Sequence, residues 1–186
     1  MKPMKHFFTL IEVLTVAAII AVLAGISVGV IGLISNKNAE SRTLATIKAL
    51  ELAMGQYKAD NGCIYLPGAS SSDLATPILL KVSAGLPDNL NGTLLKYLDQ
   101  KLLNSSTKID GDNRYFIDGW GRPLIYRIPG KFNKTGFDLG SVGPDGKVGD
   151  GQGDEVTATA LPSKSDYDNS SFGFGNGDDI TNFLRN

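Results

Sequence analysis

The sequence predicts an α+β fold: a long N-terminal helix followed by a small antiparallel sheet. Three observations carry this. One apolar run, Val13 to Ile34, holds 22 residues with neither charge nor proline. Apolar residues at spacings of three and four then continue to Tyr57, which is a helical period. Short β-type stretches bounded by Gly and Pro follow in the second half of the chain.

The helix comes first. As a helix, 22 residues span about 33 Å, close to the roughly 30 Å hydrocarbon core of a bilayer. A secretory signal peptide has an apolar stretch of only about 7–15 residues and then ends, whereas here the helical pattern runs on. Leu44, Ile47, Leu50, Met54 and Tyr57 form one face, and Glu40, Arg42, Lys48, Glu51 and Lys58 mostly lie off it. Asn61-Gly62 supplies the stop. One helix is therefore expected from about Thr9 to Asp60. Its first half, apolar all round, suits lipid or a crowded helical core. Its second half suits packing on one side of a globular domain. Gly25, Gly29 and Gly32, with Ala17, Ala18, Ala21 and Ala24, would let helices approach closely; ordinary membrane-helix glycine usage explains them equally well.

The plain reading is a single-pass anchor. Lys2 and Lys5 precede the span, which keeps a short N-terminus cytoplasmic, although Lys37 and Arg42 follow it. That reading leaves Glu12 unexplained. An acid inside an apolar span is a functional candidate whose partner must be found. Alone in low dielectric it would become neutral; beside an ammonium, each charge offsets part of the other's desolvation.

The stretch "FTLIEVLTVAAIIAVLAGI" resembles the N-terminus of type IV pilins and of the pseudopilins of type II secretion. The resemblance implies a leader, residues 1–7, cut by a prepilin peptidase between Phe7 and Phe8. Phe8 would then be N-methylated, and Glu12 would meet a terminal amine during filament assembly. Phe7 stands where the family usually has Gly or another small residue. Residues 8–35 would be the transmembrane and filament-core helix, and 36–186 a periplasmic pilin-like domain.

Beyond the helix, residues 63–77 read as a polar loop after a short apolar patch. Leu94, Leu95, Leu98, Leu102 and Leu103 predict a second amphipathic helix within 90–104. "LIYRI", between Pro123 and Pro129-Gly130, and the stretch carrying Phe137, Leu139 and Val142 predict two strands of an antiparallel hairpin. Trp120 and Tyr126 are expected as core aromatics. The resemblance extends here. "DGWGRPLIYR" is similar to the DPWG-x-P-x-x-Y stretch of the major pseudopilin, with Gly119 at the usual Pro. "FDLGSVGPDGKVGD" and "GDDITNF" are similar to its later motifs, in the same order. Part of 66–112 reads as an insertion relative to the family.

Residues 136–186 hold nine acids against three Lys and Arg, many of them beside Gly. In "GPDGKVGDGQGDE", Asp145, Asp150 and Asp154 lie on a flexible backbone, and Asp178 and Asp179 return near the C-terminus. Calcium takes carboxylate and carbonyl oxygens in flexible geometry. EF-hand spacing is missing, and a solvated acidic loop has the same composition. The resemblance implies a calcium ion held by the carbonyls of Leu139 and Ser141 and by Asp145, Asp178 and Asp179, with Asp150 and Asp154 as further candidates. An extra segment, 152–177, separates the two halves of that site. Cys63 is the only cysteine, so no intramolecular disulfide orders this half, and a metal could act as its staple.

Enzymes find little support. His6, the only histidine, falls in the expected leader, which excludes a His-based triad in the processed chain. Cys63 lacks a His partner. The net charge of −1 gives no reason to expect nucleic acid. The resemblance thus implies a structural subunit of a type II secretion pseudopilus in the bacterial inner membrane. It would polymerise with itself through N-terminal helices and work with minor pseudopilins and an inner-membrane assembly platform. Rival readings are a type IV pilus or minor pilin subunit, an anchored calcium-binding module that does not polymerise, and a membrane-tethered hydrolase.

Overall fold

The computed structural model describes residues 9–62, 78–79, 81–83, 96–110, 113–127, 130–149, 151, 155–157, 167 and 173–183. The polar loop at 63–77, with Cys63, lies outside the described residues, as do His6 and the Leu94 and Leu95 of the second expected helix.

Helix α1 runs from Leu10 to Asn61, 52 residues, one residue later at each end than the sequence predicts. At its C-terminus the chain turns left-handed at Gly62, φ 60°. The Gly62 N–H returns to the Lys58 carbonyl at 2.8 Å, and the Asn61 amide reaches the Tyr57 carbonyl at 2.9 Å. This is the single-bond left-handed cap that satisfies terminal carbonyls.

Two compact units divide the chain, Met1–Lys37 and Asn38–Asn186. In the first, the large apolar side chains from Leu10 to Leu23 stand 55–82 % exposed. Among the described residues no helix is long and apolar enough to cross a membrane.

In the second unit α1 buries Ile47, Leu50, Ala53, Met54 and Tyr57. Leu44, expected on that face, is exposed, and Thr43 and Thr46 are buried in its place. The reason is hydrogen bonding. Thr43 Oγ1 donates to the Ala39 carbonyl at 2.8 Å and accepts the Gly119 N–H at 2.8 Å. Thr46 Oγ1 meets Ser106 Oγ at 3.0 Å. Backbone docks on the helix here, and it needs hydroxyls rather than methyls. A Cβ on Gly119 would lie 2.1 Å from the Ala39 carbonyl oxygen, so only glycine permits this approach.

Of the second expected helix, the described residues show a turn at 96–98 and α2 at Gln100–Ser105. Asp99 caps it: its backbone is extended, and its carboxylate accepts the Lys101 N–H at 2.9 Å. Leu98 and Leu103 are buried in the core as expected, with Leu102 packed against it.

Among the described residues, seven strands follow: β1 (Ile78–Leu79), β2 (Lys81–Ser83), β3 (Thr107–Asp110), β4 (Asn113–Phe116), β5 (Ile125–Arg127), β6 (Asp138–Ser141) and β7 (Ile180–Thr181). They form an antiparallel sheet of order β1-β5-β6-β7 and another of order β2-β4-β3. The predicted hairpin is β5–β6, with Tyr126 opposite Leu139. All three β5 residues are buried, because this strand is covered on both faces. Leu124 and Tyr126 join the α1 cluster. Ile125 joins a second cluster with Val142, Val148, Val156, Tyr167 and Phe174. Trp120 is half-buried.

Candidate functional site

Two places collect the residues that the sequence singles out: the tip of α1 and the loops following β6.

At the tip, Glu12 is not alone. Its Oε2 accepts the Thr9 N–H and the Thr9 hydroxyl, each at 2.8 Å. The Thr9 Oγ1 in turn accepts the Glu12 N–H at 3.3 Å. This is a capping box, in which Thr at the cap and Glu three residues on satisfy each other's backbone donors. The T-x-x-E spacing was visible in the sequence; the apolar context drew attention to an external partner instead. Oε1 has no partner among the described residues. Phe7 and Phe8 lie outside the described residues.

After β6 the chain enters Gly143–Lys147, and β7 brings Asp178 and Asp179 beside it. The Asp145 N–H points to Asp178 Oδ2 at 3.4 Å, while Asp145 Oδ1 accepts the Lys147 N–H at 2.8 Å. Asp179 Oδ2 accepts two backbone donors, Gly149 N–H at 2.9 Å and Gly175 N–H at 2.8 Å. Its other oxygen, Oδ1, is buried with no hydrogen-bond partner among the described residues. Burial pushes the Asp179 carboxyl up to about 8, against the two N–H donors and with help from the charges of Asp178 and Asp145. Asp178 is raised as well, by burial first and then by Asp145. The three carboxyls named in the sequence are therefore neighbours that strain one another electrostatically.

The main-chain candidates are placed differently. The Leu139 carbonyl accepts the Asn182 N–H at 2.9 Å. Ser141 pairs with Ile180 across β6–β7, and its hydroxyl donates to Asp118 Oδ2 at 2.6 Å. Asp150 and Asp154 lie outside the described residues. Among the described residues no group of three or more His, Cys, Asp or Glu side chains is placed to hold a metal by itself.

Two structural acids escaped the sequence reading. Asp118, buried, accepts the Trp120 and Arg122 N–H groups at 2.9 and 2.8 Å, closing the turn that leads into β5. Burial raises its carboxyl, opposed first by the Ser141 hydroxyl. Asp138, fully buried, gathers the loop 131–133. Its carboxylate accepts the N–H groups of Lys131, Phe132 and Asn133 at 2.7, 3.1 and 2.8 Å, and the Tyr167 hydroxyl at 3.1 Å. Single acids in "FIDGW" and "GFDLG" carry no periodic signal, so only the fold reveals them.

A helix with an apolar, exposed front and an acid at its tip, continuing into an antiparallel sheet edged by acidic Gly-rich loops, defines a pilin-like subunit. The family model for "Type II secretion system (T2SS), protein G" matches residues 95–159. A protein of Pseudomonas aeruginosa named type II secretion system core protein G is 32 % identical over 79 % of this chain and 89 % of its own length. Proteins of the same name from Aeromonas hydrophila and Escherichia coli are 29 % and 30 % identical, over 80 % and 84 % of this chain and 89 % and 92 % of their own lengths. The chain belongs to the type II secretion system protein G family. No solved structure matches at a significant level.

Proposed function

We infer that this chain is a structural subunit of a type II secretion pseudopilus, a fibre built through the front of α1. The observation that carries the reading is that front: from Leu10 to Leu23 its large apolar side chains are exposed. Burying such surface stabilises by about 25 cal/mol per Å², and contiguous exposed apolar surface marks a membrane or protein partner. Both occupants fit in sequence. The helix first rests in the inner membrane, with the globular unit periplasmic, and then packs against its copies. Assembly would involve a prepilin peptidase cutting between Phe7 and Phe8, an inner-membrane platform and minor pseudopilins. Family membership supports each of these. The work is mechanical, without an enzymatic step or a nucleic-acid partner.

Glu12 gives the packing its register. The capping box holds Oε2 on Thr9 and leaves Oε1 for a terminal ammonium. A charge pair can thus form without uncapping the helix. Replacing Glu12 with Ala should abolish fibres in electron micrographs of overproducing cells, while fractionation still finds the subunit in the membrane. Fibres of normal length from E12A would defeat the reading. Mass spectrometry of the purified subunit should find a methylated Phe8 as its first residue; an intact Met1 would remove the processing step.

Calcium is part of the proposal. The donor set fits: a buried oxygen, Asp179 Oδ1, lacks a partner among the described residues, and Asp145 and Asp178 stand close enough to raise its proton affinity. With fewer than three carboxylates converging among the described residues, the remaining ligands would be backbone carbonyls, Leu139 and Ser141 among the candidates, with Asp150 and Asp154 as the further candidates the sequence offers. Bound calcium would supply the positive charge that keeps these carboxylates ionised. The chain's residues do the rest: Gly149 and Gly175 hold Asp179 in place, and Asp118 fixes Ser141.

A further inference from the structure

Arg122 stands between the two acidic places of the sheet end. Its backbone is held twice by Asp118: the Arg122 N–H donates to Asp118 Oδ1 at 2.8 Å, and its carbonyl accepts the Asp118 N–H at 2.8 Å. From that fixed base the side chain crosses to the loop after β6. Nη1 donates to the Gly143 carbonyl at 3.2 Å. The guanidinium lies against Gly146: a Cβ there would come within 2.3 Å of Nε and 2.7 Å of Cζ. Gly146 itself has φ +78°, a conformation that side chains disfavour, so the position is glycine on two counts. The Asp178 carboxyl meets the same residue: a Cβ on Gly143 would come within 2.9 Å of Asp178 Cγ, so the guanidinium and that carboxyl share Gly143 as a neighbour. Lys147, the other cation of this loop, sends its ammonium to the Gly151 carbonyl at 3.4 Å.

We propose that Arg122 is the resident counter-cation of the acidic loop: it pins residues 143–146 when no metal is bound, and it weakens divalent-cation binding by standing beside the same carboxylates. The second half rests on the calcium reading above; the first does not. A guanidinium suits the task because it is planar, permanently charged and can lie flat on a glycine while donating to a carbonyl. Its consequence is a loop that keeps its fold before the subunit meets calcium, at the expense of affinity once it does.

The test uses the full chain in detergent, with Arg122→Gln and Arg122→Lys. Melting in EDTA reads the pin, and calorimetric titration with calcium reads the charge. R122Q should melt about 3–6 °C lower in EDTA yet bind calcium about tenfold more tightly, because a nearby positive charge is gone. R122K keeps the charge and loses the flat contact, so it should melt lower while its calcium affinity stays within about threefold of wild type. Opposite signs for stability and affinity in R122Q are what a merely structural arginine would not produce. Unchanged melting in EDTA, or a calcium affinity that falls with stability, overturns the proposal. If wild type ignores calcium, the calcium reading fails by itself. The EDTA arm then decides alone: lower melting keeps Arg122 as the counter-cation, and unchanged melting removes it. Should R122Q not fold, that loss without metal upholds the pin, and R122K then tests the charge: an affinity outside the threefold window overturns it.

Discussion

Asp138 opens β6 and Asp179 immediately precedes β7 of the same sheet, both beside Gly-containing loops, and they have been finished differently. Asp138 has four donors on its two oxygens, three from consecutive backbone N–H groups and one from Tyr167. Among the described residues, Asp179 has two donors on one oxygen and none on the other. Like acids surround it, whereas Asp138 lies opposite Arg127 across the β5–β6 ladder. The first site is complete within the chain. In the second, among the described residues, one buried oxygen stays open near Asp145 and Asp178, and Arg122 donates to the Gly143 carbonyl rather than to it. Buried polar groups are nearly always satisfied, so the unfinished acid is where the proposed calcium would bind, and the finished one needs no ligand.

The sharpest way to break this comparison is to remove each acid. Asp138→Ala leaves three backbone N–H groups and a buried hydroxyl without their acceptor, at about 1–3 kcal/mol for each one that water cannot reach. A loss of about 3–5 kcal/mol in urea unfolding is expected, the same with calcium or EDTA. A D138A protein of wild-type stability would mean that the loop 131–133 satisfies itself.

Asp179→Asn should behave in the opposite way. With metal chelated, the folded carboxyl titrates near 8, far above the roughly 3.9 of an unfolded chain. Below about pH 4 both states hold the proton and folding carries no cost from this group. Between about 4 and 8 the folded state keeps a proton that the unfolded state has released, so stability falls as pH rises, by up to about 1.4 kcal/mol per unit. Above pH 8 the full cost of burying the charge is present. Wild type in EDTA should therefore melt progressively lower from pH 5 to pH 8. D179N should show a flatter curve, with a residue of slope from Asp178 and Asp118, which are shifted in the same direction. Saturating calcium should flatten the wild-type curve and leave D179N nearly unmoved. Coincident wild-type curves with and without calcium would sink the metal assignment.

How far the sequence reveals each site follows from what kind of signal it leaves. Periodic features were legible: α1 to within one residue at each end, the β5–β6 hairpin, and the burial of Leu98 and Leu103. Leu44 misled because a three-and-four pattern cannot show that backbone, rather than side chains, docks on that turn of the helix. The approach of Gly119 to Ala39 explains why Thr43 faces inward, and Ser106 explains Thr46. The acids divide similarly. Asp145, Asp178 and Asp179 were found through composition, because several acids beside glycines stand out. Asp118 and Asp138 act singly, through backbone donors whose positions depend on the tertiary path, and the chain offers no pattern for them. Resemblance to a family supplied the grouping of distant acids, which no spacing within this sequence could.

The smallest effect comes from a second unfinished group, and it separates charge from mere lack of a partner. The Tyr126 hydroxyl is buried and without a hydrogen-bond partner among the described residues, and burial alone raises its proton affinity. Its ring packs against Phe137 at 5.7 Å between centroids. Unlike Asp179 it stays neutral in both folded and unfolded states at ordinary pH, so no cation can repair it. Tyr126→Phe removes only the oxygen and keeps the ring in place. Because an unsatisfied buried hydroxyl costs about 1 kcal/mol or more, Y126F should be as stable as wild type or up to about 1 kcal/mol more stable, with unaltered calcium response and unaltered pH dependence between 5 and 8. A loss of more than about 1 kcal/mol would show that a partner or ordered water completes the hydroxyl. An orphaned atom would then no longer distinguish a binding site from an ordinary core, and the case for Asp179 would rest on its charge alone.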